Sequence, residues 1–241
     1  MSDKSYVLNV GVDRLSMKQA VQRAENIIRG LEPAGIVVTA NAEMVMLAQK
    51  DADFAAIMRN AALVVPDGAG VVWAAKYLGM PLTERVAGYD LTQQLLARAA
   101  ASGYRVFFLG AGPDVANQAK AAAESRYPGI NVVGTQDGFF TSQEEGPLIR
   151  RIAELKPDIL FVALGVPRQE KWLTRHFSEL TTPLCIGVGG TFDVMAGRVK
   201  RAPVWMQRAG LEWLFRLLCQ PERLFRMAAL PKFVLHVLRS K

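Results

Sequence analysis

Val106-Phe107-Phe108-Leu109-Gly110-Ala111-Gly112-Pro113-Asp114 is the stretch that decides the fold class. Four apolar residues run without interruption into a turn holding two glycines and a proline. Residues 113–126 then follow a helical period. An unbroken apolar run this short reads as a strand covered on both faces, as in a parallel sheet. The same unit recurs along the chain. Ile36-Val37-Val38, Leu63-Val64-Val65, Val132-Val133, Ile159-Leu160-Phe161-Val162 and Leu184-Cys185-Ile186 alternate with helix-period segments at 16–30, 42–60, 88–102, 142–155 and 168–179. This alternation predicts an α/β fold, a Rossmann-like mainly parallel sheet with helices on both faces. It ends near residue 194. We therefore expect a catalytic domain over 1–194 and a basic, amphipathic, helical C-terminal appendage over 195–241.

Composition agrees with a folded body. The chain has 241 residues, 51% of them hydrophobic and 21% charged, which excludes a disordered chain. No apolar stretch reaches the roughly 18–20 residues of a spanning helix. The opening Met1-Ser2-Asp3-Lys4-Ser5-Tyr6 has no apolar signal core, so a cytoplasmic protein is expected. In that compartment Cys185 and Cys219, both in apolar surroundings, read as reduced core residues. The net charge of +7 is unevenly spread: residues 1–194 are net −1, whereas 195–241 carry ten basic and two acidic residues, net +8. Such a tail suits an anionic partner: nucleic acid, an acidic membrane surface or a phosphorylated substrate. Its basic residues are interleaved with Trp205, Trp213, Phe215, Leu218, Phe225 and Leu235. That pattern fits an interfacial helix, where each basic residue near an anionic leaflet contributes roughly 1 kcal/mol. The competing reading packs the apolar face on the body or on a second subunit. Nucleic acid is disfavoured, because the tail has no helix-turn-helix or RNA motif and is too apolar to track phosphates.

Ligands of such sheets bind beyond the carboxyl ends of the strands. Several of those ends are rich in glycine or polar residues: Thr39-Ala40-Asn41, Pro66-Asp67-Gly68-Ala69-Gly70, Gly165-Val166-Pro167-Arg168-Gln169-Glu170 and Gly187-Val188-Gly189-Gly190. Gly110 and Gly112 allow a tight turn, with a helix starting near Pro113 that would aim free N–H groups at a phosphate. The third glycine of the dinucleotide fingerprint is missing. The glycines of 187–190 suggest close approach of backbone to a ligand. Asp67 has two readings, a general base left accessible by glycines or an N-cap for a helix from about residue 68. Asp51-Ala52-Asp53 resembles a metal-holding pair but falls in a helical stretch, where residues i and i+2 point apart. His176 and His236 are isolated, so no zinc-ligand spacing exists.

The order of these segments resembles the WecG/TagA/CpsF family of bacterial glycosyltransferases. The pieces that carry the resemblance are Thr39-Ala40-Asn41, Pro66-Asp67-Gly68, Arg85-Val86-Ala87-Gly88-Tyr89-Asp90, Phe108-Leu109-Gly110-Ala111-Gly112, Gly165-Val166-Pro167-Arg168-Gln169-Glu170, Gly187-Val188-Gly189-Gly190-Thr191-Phe192-Asp193, Arg201-Ala202-Pro203, Leu211-Glu212-Trp213-Leu214 and Pro221-Glu222-Arg223. The resemblance implies an inverting, metal-independent transfer of N-acetylmannosamine. UDP-N-acetylmannosamine would be the donor, as a substrate and not a cofactor. The 4-hydroxyl of N-acetylglucosamine on undecaprenyl diphosphate would be the acceptor, giving the β-1,4-linked disaccharide lipid of the wall teichoic acid linkage unit. UDP-N-acetylmannosaminuronic acid or UDP-glucose, serving another surface polysaccharide, is the alternative donor. The resemblance also points to Asp67 as the base. Thr39 and Asn41 would bind the sugar or orient the acceptor, and Gln169 would add hydrogen bonds. Gly110, Gly112, Gly189 and Gly190 would approach the substrate. Arg85 and Asp90 read equally as ligands or as an ion pair. Departing diphosphate needs positive charge, for which the tail offers Arg216, Arg223 and Arg226 on one side of a roughly helical path. The expected location is the inner leaflet of the cell membrane, peripherally bound, with homo-oligomerisation left open. Asp137 is a guess for uracil.

Overall fold

The computed structural model describes residues 3–219 and 229–240. A hairpin comes first, β1 (Lys4–Val7) and β2 (Val10–Asp13), turned through Leu8 and Asn9, both at positive φ. After α1 (Met17–Ile28) the chain runs β3 (Gly35–Ala40), α2 (Ala42–Ala48), α3 (Ala52–Asn60), β4 (Leu63–Pro66), α4 (Ala69–Tyr77), α5 (Gly88–Ser102) and β5 (Arg105–Gly110). Next come α6 (Val115–Arg126), β6 (Asn131–Gln136), α7 (Ser142–Leu155), β7 (Ile159–Ala163), α8 (Arg168–Leu180), β8 (Leu184–Gly187) and α9 (Thr191–Met195). The tail holds α10 (Val204–Arg208), α11 (Glu212–Cys219) and a last described helix, here α12 (Ala229–Arg239).

Six strands form one parallel sheet in the order β4-β3-β8-β7-β5-β6. Their apolar runs are explained by the two-residue side-chain period. On β7, Ile159, Phe161 and Ala163 face one core, and Leu160 and Val162 face the other. The first core is closed by α1, α5, α6 and α9, and the opposite face by α2, α3, α4, α7 and α8. β3 leads into α2 on one face and its neighbour β8 leads into α9 on the other. Adjacent strands whose connections diverge in this way leave a crevice at their carboxyl ends, where ligands bind in open α/β sheets.

Three local expectations change. The helical stretch 42–60 is two helices, and Asp51 is the N-cap of the second, accepting the Phe54 N–H at 3.0 Å. Its other oxygen holds Lys171. Of the cysteines only Cys185 is buried; Cys219 is exposed. The tail also enters the core of the body: Phe233 and Val237 of α12 are fully buried among Val38, Met44, Val45, Val71 and Ala74.

Candidate active site

The site starts from the close approach of two strand ends. A Cβ on Gly68 would lie 3.1 Å from Asn41, and one on Gly88 would lie 3.1 Å from Thr39. The glycines thus let the loop after β4 and the start of α5 sit directly against the end of β3. The Asp67 N–H donates to the Ala40 carbonyl at 3.0 Å, which ties the turn after β4 to the end of β3. Its Oδ1 accepts the Gly88 N–H at 3.0 Å, at the first turn of α5, where the helix dipole favours a negative charge. The N-cap of α4 is Gly68, so the capping reading of Asp67 is set aside.

Arg85 lies beside it. Its Nε donates to the Asp67 carbonyl, and its guanidinium is 3.8 Å from Asp67 Oδ1 and 2.8 Å from Glu212 Oε2. Arg85 and Asp90 do not pair with each other. Asp90 is gripped by both terminal nitrogens of Arg201, at 2.6 and 2.7 Å, with Arg201 lying 4.6 Å over the Tyr89 ring. Glu212 further meets Arg201 at 3.6 Å and Arg216 at 3.4 Å. The cleft is lined by Asn41, Glu43 and Asp67 of the body and by Glu212, Trp213 and Arg216 of the tail. Its volume is about 170 Å³. That is below the roughly 300–1,000 Å³ of whole-ligand sites, so a ligand of drug size or larger would extend beyond it.

Burial pushes the Asp67 carboxyl above the ordinary carboxylate range. Arg85, the Gly88 N–H and Arg216 oppose that rise without cancelling it, and the Glu212 charge adds to it. The side chain nevertheless keeps 30% of its surface open, so a substrate can reach it. A carboxylate made more basic yet accessible is suited to accept a proton. Burial would raise Glu212 as well, but its hydrogen bond with Arg85 and the charges of Arg216, Arg85 and Arg201 hold it below the usual range.

The remaining expected residues divide. Asn41 uses its Oδ1 to cap α2 through the Met44 N–H at 3.0 Å and also lines the cleft. Thr39 is half-buried, its hydroxyl 3.4 Å from the Gly187 carbonyl across the β3/β8 crevice. Gln169 is 2% exposed and its amide is occupied internally. Its Oε1 accepts the N–H groups of Gly165 at 3.2 Å and Gly189 at 3.1 Å, and its Nε2 donates to Glu170 at 2.7 Å. It ties the β7 and β8 loops together and does not line the cleft. Gly189 has φ +51° and Gly190 is the N-cap of α9. Gly110 is required for packing: at φ +115°, a Cβ there would lie 2.5 Å from the Ala163 backbone. Gly112 accepts from Val115, and the Asp114 carboxylate takes Asn117 and Gln118 instead of capping α6. Asp137 accepts the Phe139 N–H at 2.9 Å within its own turn. Arg223 and Arg226 lie outside the described residues.

The cleft that joins a strand-end aspartate to a tail helix is accompanied by a match along almost the whole chain. Residues 5–241 match the model of the glycosyl transferase WecG/TagA/CpsF family. The chain belongs to this family. Among its WecG/TagA/CpsF relatives is the N-acetylglucosaminyldiphosphoundecaprenol N-acetyl-beta-D-mannosaminyltransferase of Bacillus spizizenii, 40% identical over 205 residues. The match covers 85% of this chain and 79% of the relative. The protein of the same name from Bacillus subtilis is 38% identical over 86% of this chain and 80% of its own length. That from Staphylococcus aureus is 32% identical over 99% and 93%. Glu43, Glu212 and Trp213 line the cleft without having been expected there. Glu212 carried one available signal, an acid inside a tail with ten bases and two acids.

Proposed function

We propose that this chain is an inverting UDP-sugar transferase. It moves N-acetylmannosamine from UDP-N-acetylmannosamine to the 4-hydroxyl of N-acetylglucosamine on undecaprenyl diphosphate. The observation that carries the reading is Asp67, open to a cleft walled by Arg85 and the tail's Arg216 at the carboxyl edge of the sheet. The acceptor O4–H gives its proton to Asp67 as O4 attacks C1 of the donor sugar. The C1–O bond to the nucleotide breaks on the opposite face, and UDP leaves with the electron pair. Arg85 and Arg216 supply the positive field for the departing diphosphate. Thr39 and Asn41, at the next strand end, bind sugar or orient the acceptor. The nucleotide lies along the glycine loops of Gly110, Gly112, Gly189 and Gly190, and Gln169 fixes the last of these loops through the Gly189 N–H. Neither metal nor cofactor is assigned a part. Asp51, the one residue of a metal-like pair with a defined role, is spent on Lys171 and the N-terminus of α3.

The same reading places the protein on the inner leaflet, where its lipid-linked acceptor lies. No described helix is long and apolar enough to cross a membrane. Val204, Trp205, Trp213 and Leu218 of the tail, and Val234, Leu235 and Leu238 of α12, are exposed. They are interleaved with Arg208, Lys232 and Arg239. This is the composition of a surface that rests in the headgroup region of an anionic bilayer. A donor panel tests the proposal: UDP-N-acetylmannosamine, UDP-N-acetylmannosaminuronic acid and UDP-glucose, each with a short-chain lipid diphosphate carrying N-acetylglucosamine. Transfer from the first alone is expected. Preference for either of the others would overturn the donor assignment.

A further inference from the structure

Glu212 is 7% exposed, and three cations converge on its carboxylate from three separate segments. Arg85 comes from the loop before α5, at 2.8 Å; Arg201 comes from the loop after α9, at 3.6 Å; Arg216 lies one turn further along α11, at 3.4 Å. Were only the Arg216 contact present, Glu212 would be an ordinary i,i+4 helix pair of little consequence. The Arg85 contact is of another kind. It spans 127 residues and joins the tail to the same arginine that holds the Asp67 carbonyl. A second, backbone observation agrees. Gly210, at φ +72°, brings the turn before α11 so close to α4 that a Cβ would lie 3.1 Å from Ala69.

We infer that Glu212 is a positioning residue for transfer: it latches α11 across the mouth of the cleft and holds Arg85 and Arg216 together at Asp67. This rests on the proposed role of Asp67 as base. Removing the carboxylate takes the common counter-charge from three partly buried guanidinium groups, of which only Arg201 keeps a hydrogen-bonded carboxylate among the described residues, Asp90. α11 then loses its register over the cleft, and the donor diphosphate meets arginines that are no longer aligned. The charged groups facing Asp67 among the described residues are Arg85 from the loop before α5, Glu212 and Arg216 from α11, and Glu43 from α2 across the same cleft. Of these Glu212 favours the protonated base, whereas Arg85 and Arg216 favour the ionised one.

The test uses the full chain, with wild type, Glu212→Gln and Glu212→Asp compared in donor KM against kcat and in amide hydrogen exchange over residues 212–219. Glu212→Gln is expected to raise donor KM by about tenfold, the scale of one lost hydrogen bond to a charged group. It should also speed exchange in α11. Glu212→Asp keeps the charge and should lie nearer wild type in both. A wild-type KM and exchange in Glu212→Gln would overturn the latch. So would a fall in donor KM, which would make Glu212 a competitor of the substrate anion, or an Asp variant no better than Gln. Absence of turnover by wild type with any donor would count against the enzyme reading instead, and the exchange rates would then decide the latch alone.

Discussion

Replacing Asp67 by Asn separates chemistry from structure at this site. The amide keeps an oxygen for the Gly88 N–H, now received at 3.0 Å, so the loop geometry has no reason to move. What disappears is the capacity to take a proton. A positioned general base contributes about 10²–10⁴-fold, which is about 2.7–5.4 kcal/mol of barrier at 1.36 kcal/mol per tenfold. Stability should move the other way. The carboxyl is raised by burial, so the fold prefers its protonated form, and that contribution is full below the unfolded pKa and lost as pH rises through the folded one. Asn cannot ionise and escapes the loss. At neutral pH the variant should therefore melt no lower than wild type, bind UDP as wild type does, and turn over 10²–10⁴-fold more slowly. Wild type itself should lose activity on the acid side, as protons occupy Asp67 above the ordinary carboxylate range. The assay is steady-state transfer with calorimetric UDP titration and a thermal melt. Turnover within tenfold of wild type would refute the assignment of Asp67 as base, and a clear drop in melting temperature would refute the stability reasoning from its raised carboxyl.

Phe233→Ala removes a fully buried ring from the seat of α12 and should cost about 3–5 kcal/mol in urea denaturation; a change under 1 kcal/mol would mean that the helix does not dock there. Glu170 is buried and its carboxyl is pushed up to about 7, with Oε2 finding no hydrogen-bond partner among the described residues. Because the folded pKa lies above the unfolded one, wild type should lose about 3 kcal/mol between pH 4.5 and 7 on this account. Urea midpoints of Glu170→Gln should be flatter over that window, and parallel pH profiles would contradict the account. Gly187→Ala would place a Cβ 2.6 Å from the Gln169 amide. It should break the Gln169 bridge between Gly165 and Gly189, read as weaker UDP binding with the tail still seated.

The sheet was legible because its strands are covered on both faces. Ile159 to Val162 could hardly be anything but a buried strand, since each face meets a helical layer. Asp67 was legible as a carboxylate at a strand end, but its partners were not. Asp90 lies five residues from Arg85 and yet pairs with Arg201, 111 residues away, because the tail folds back over α5. Gln169 stood in a telling motif, but its direction depends on two backbone N–H groups brought together only by neighbouring β7 and β8. The break between α2 and α3 leaves no mark in the sequence pattern, because Asp51, which caps the second helix, interrupts no apolar period. The tail was legible in composition. That it would place Phe233 in the core and Arg216 in the cleft depended on packing that a charge count does not see.

The stereochemistry of the product tests the account most directly. A single displacement at C1, with Asp67 drawing the proton from O4, inverts the anomeric centre of an α-linked UDP donor. Nuclear magnetic resonance of the disaccharide released from the lipid should show one β-linked N-acetylmannosamine at O4 of N-acetylglucosamine. An α-linked product, or attachment at another hydroxyl, would contradict it.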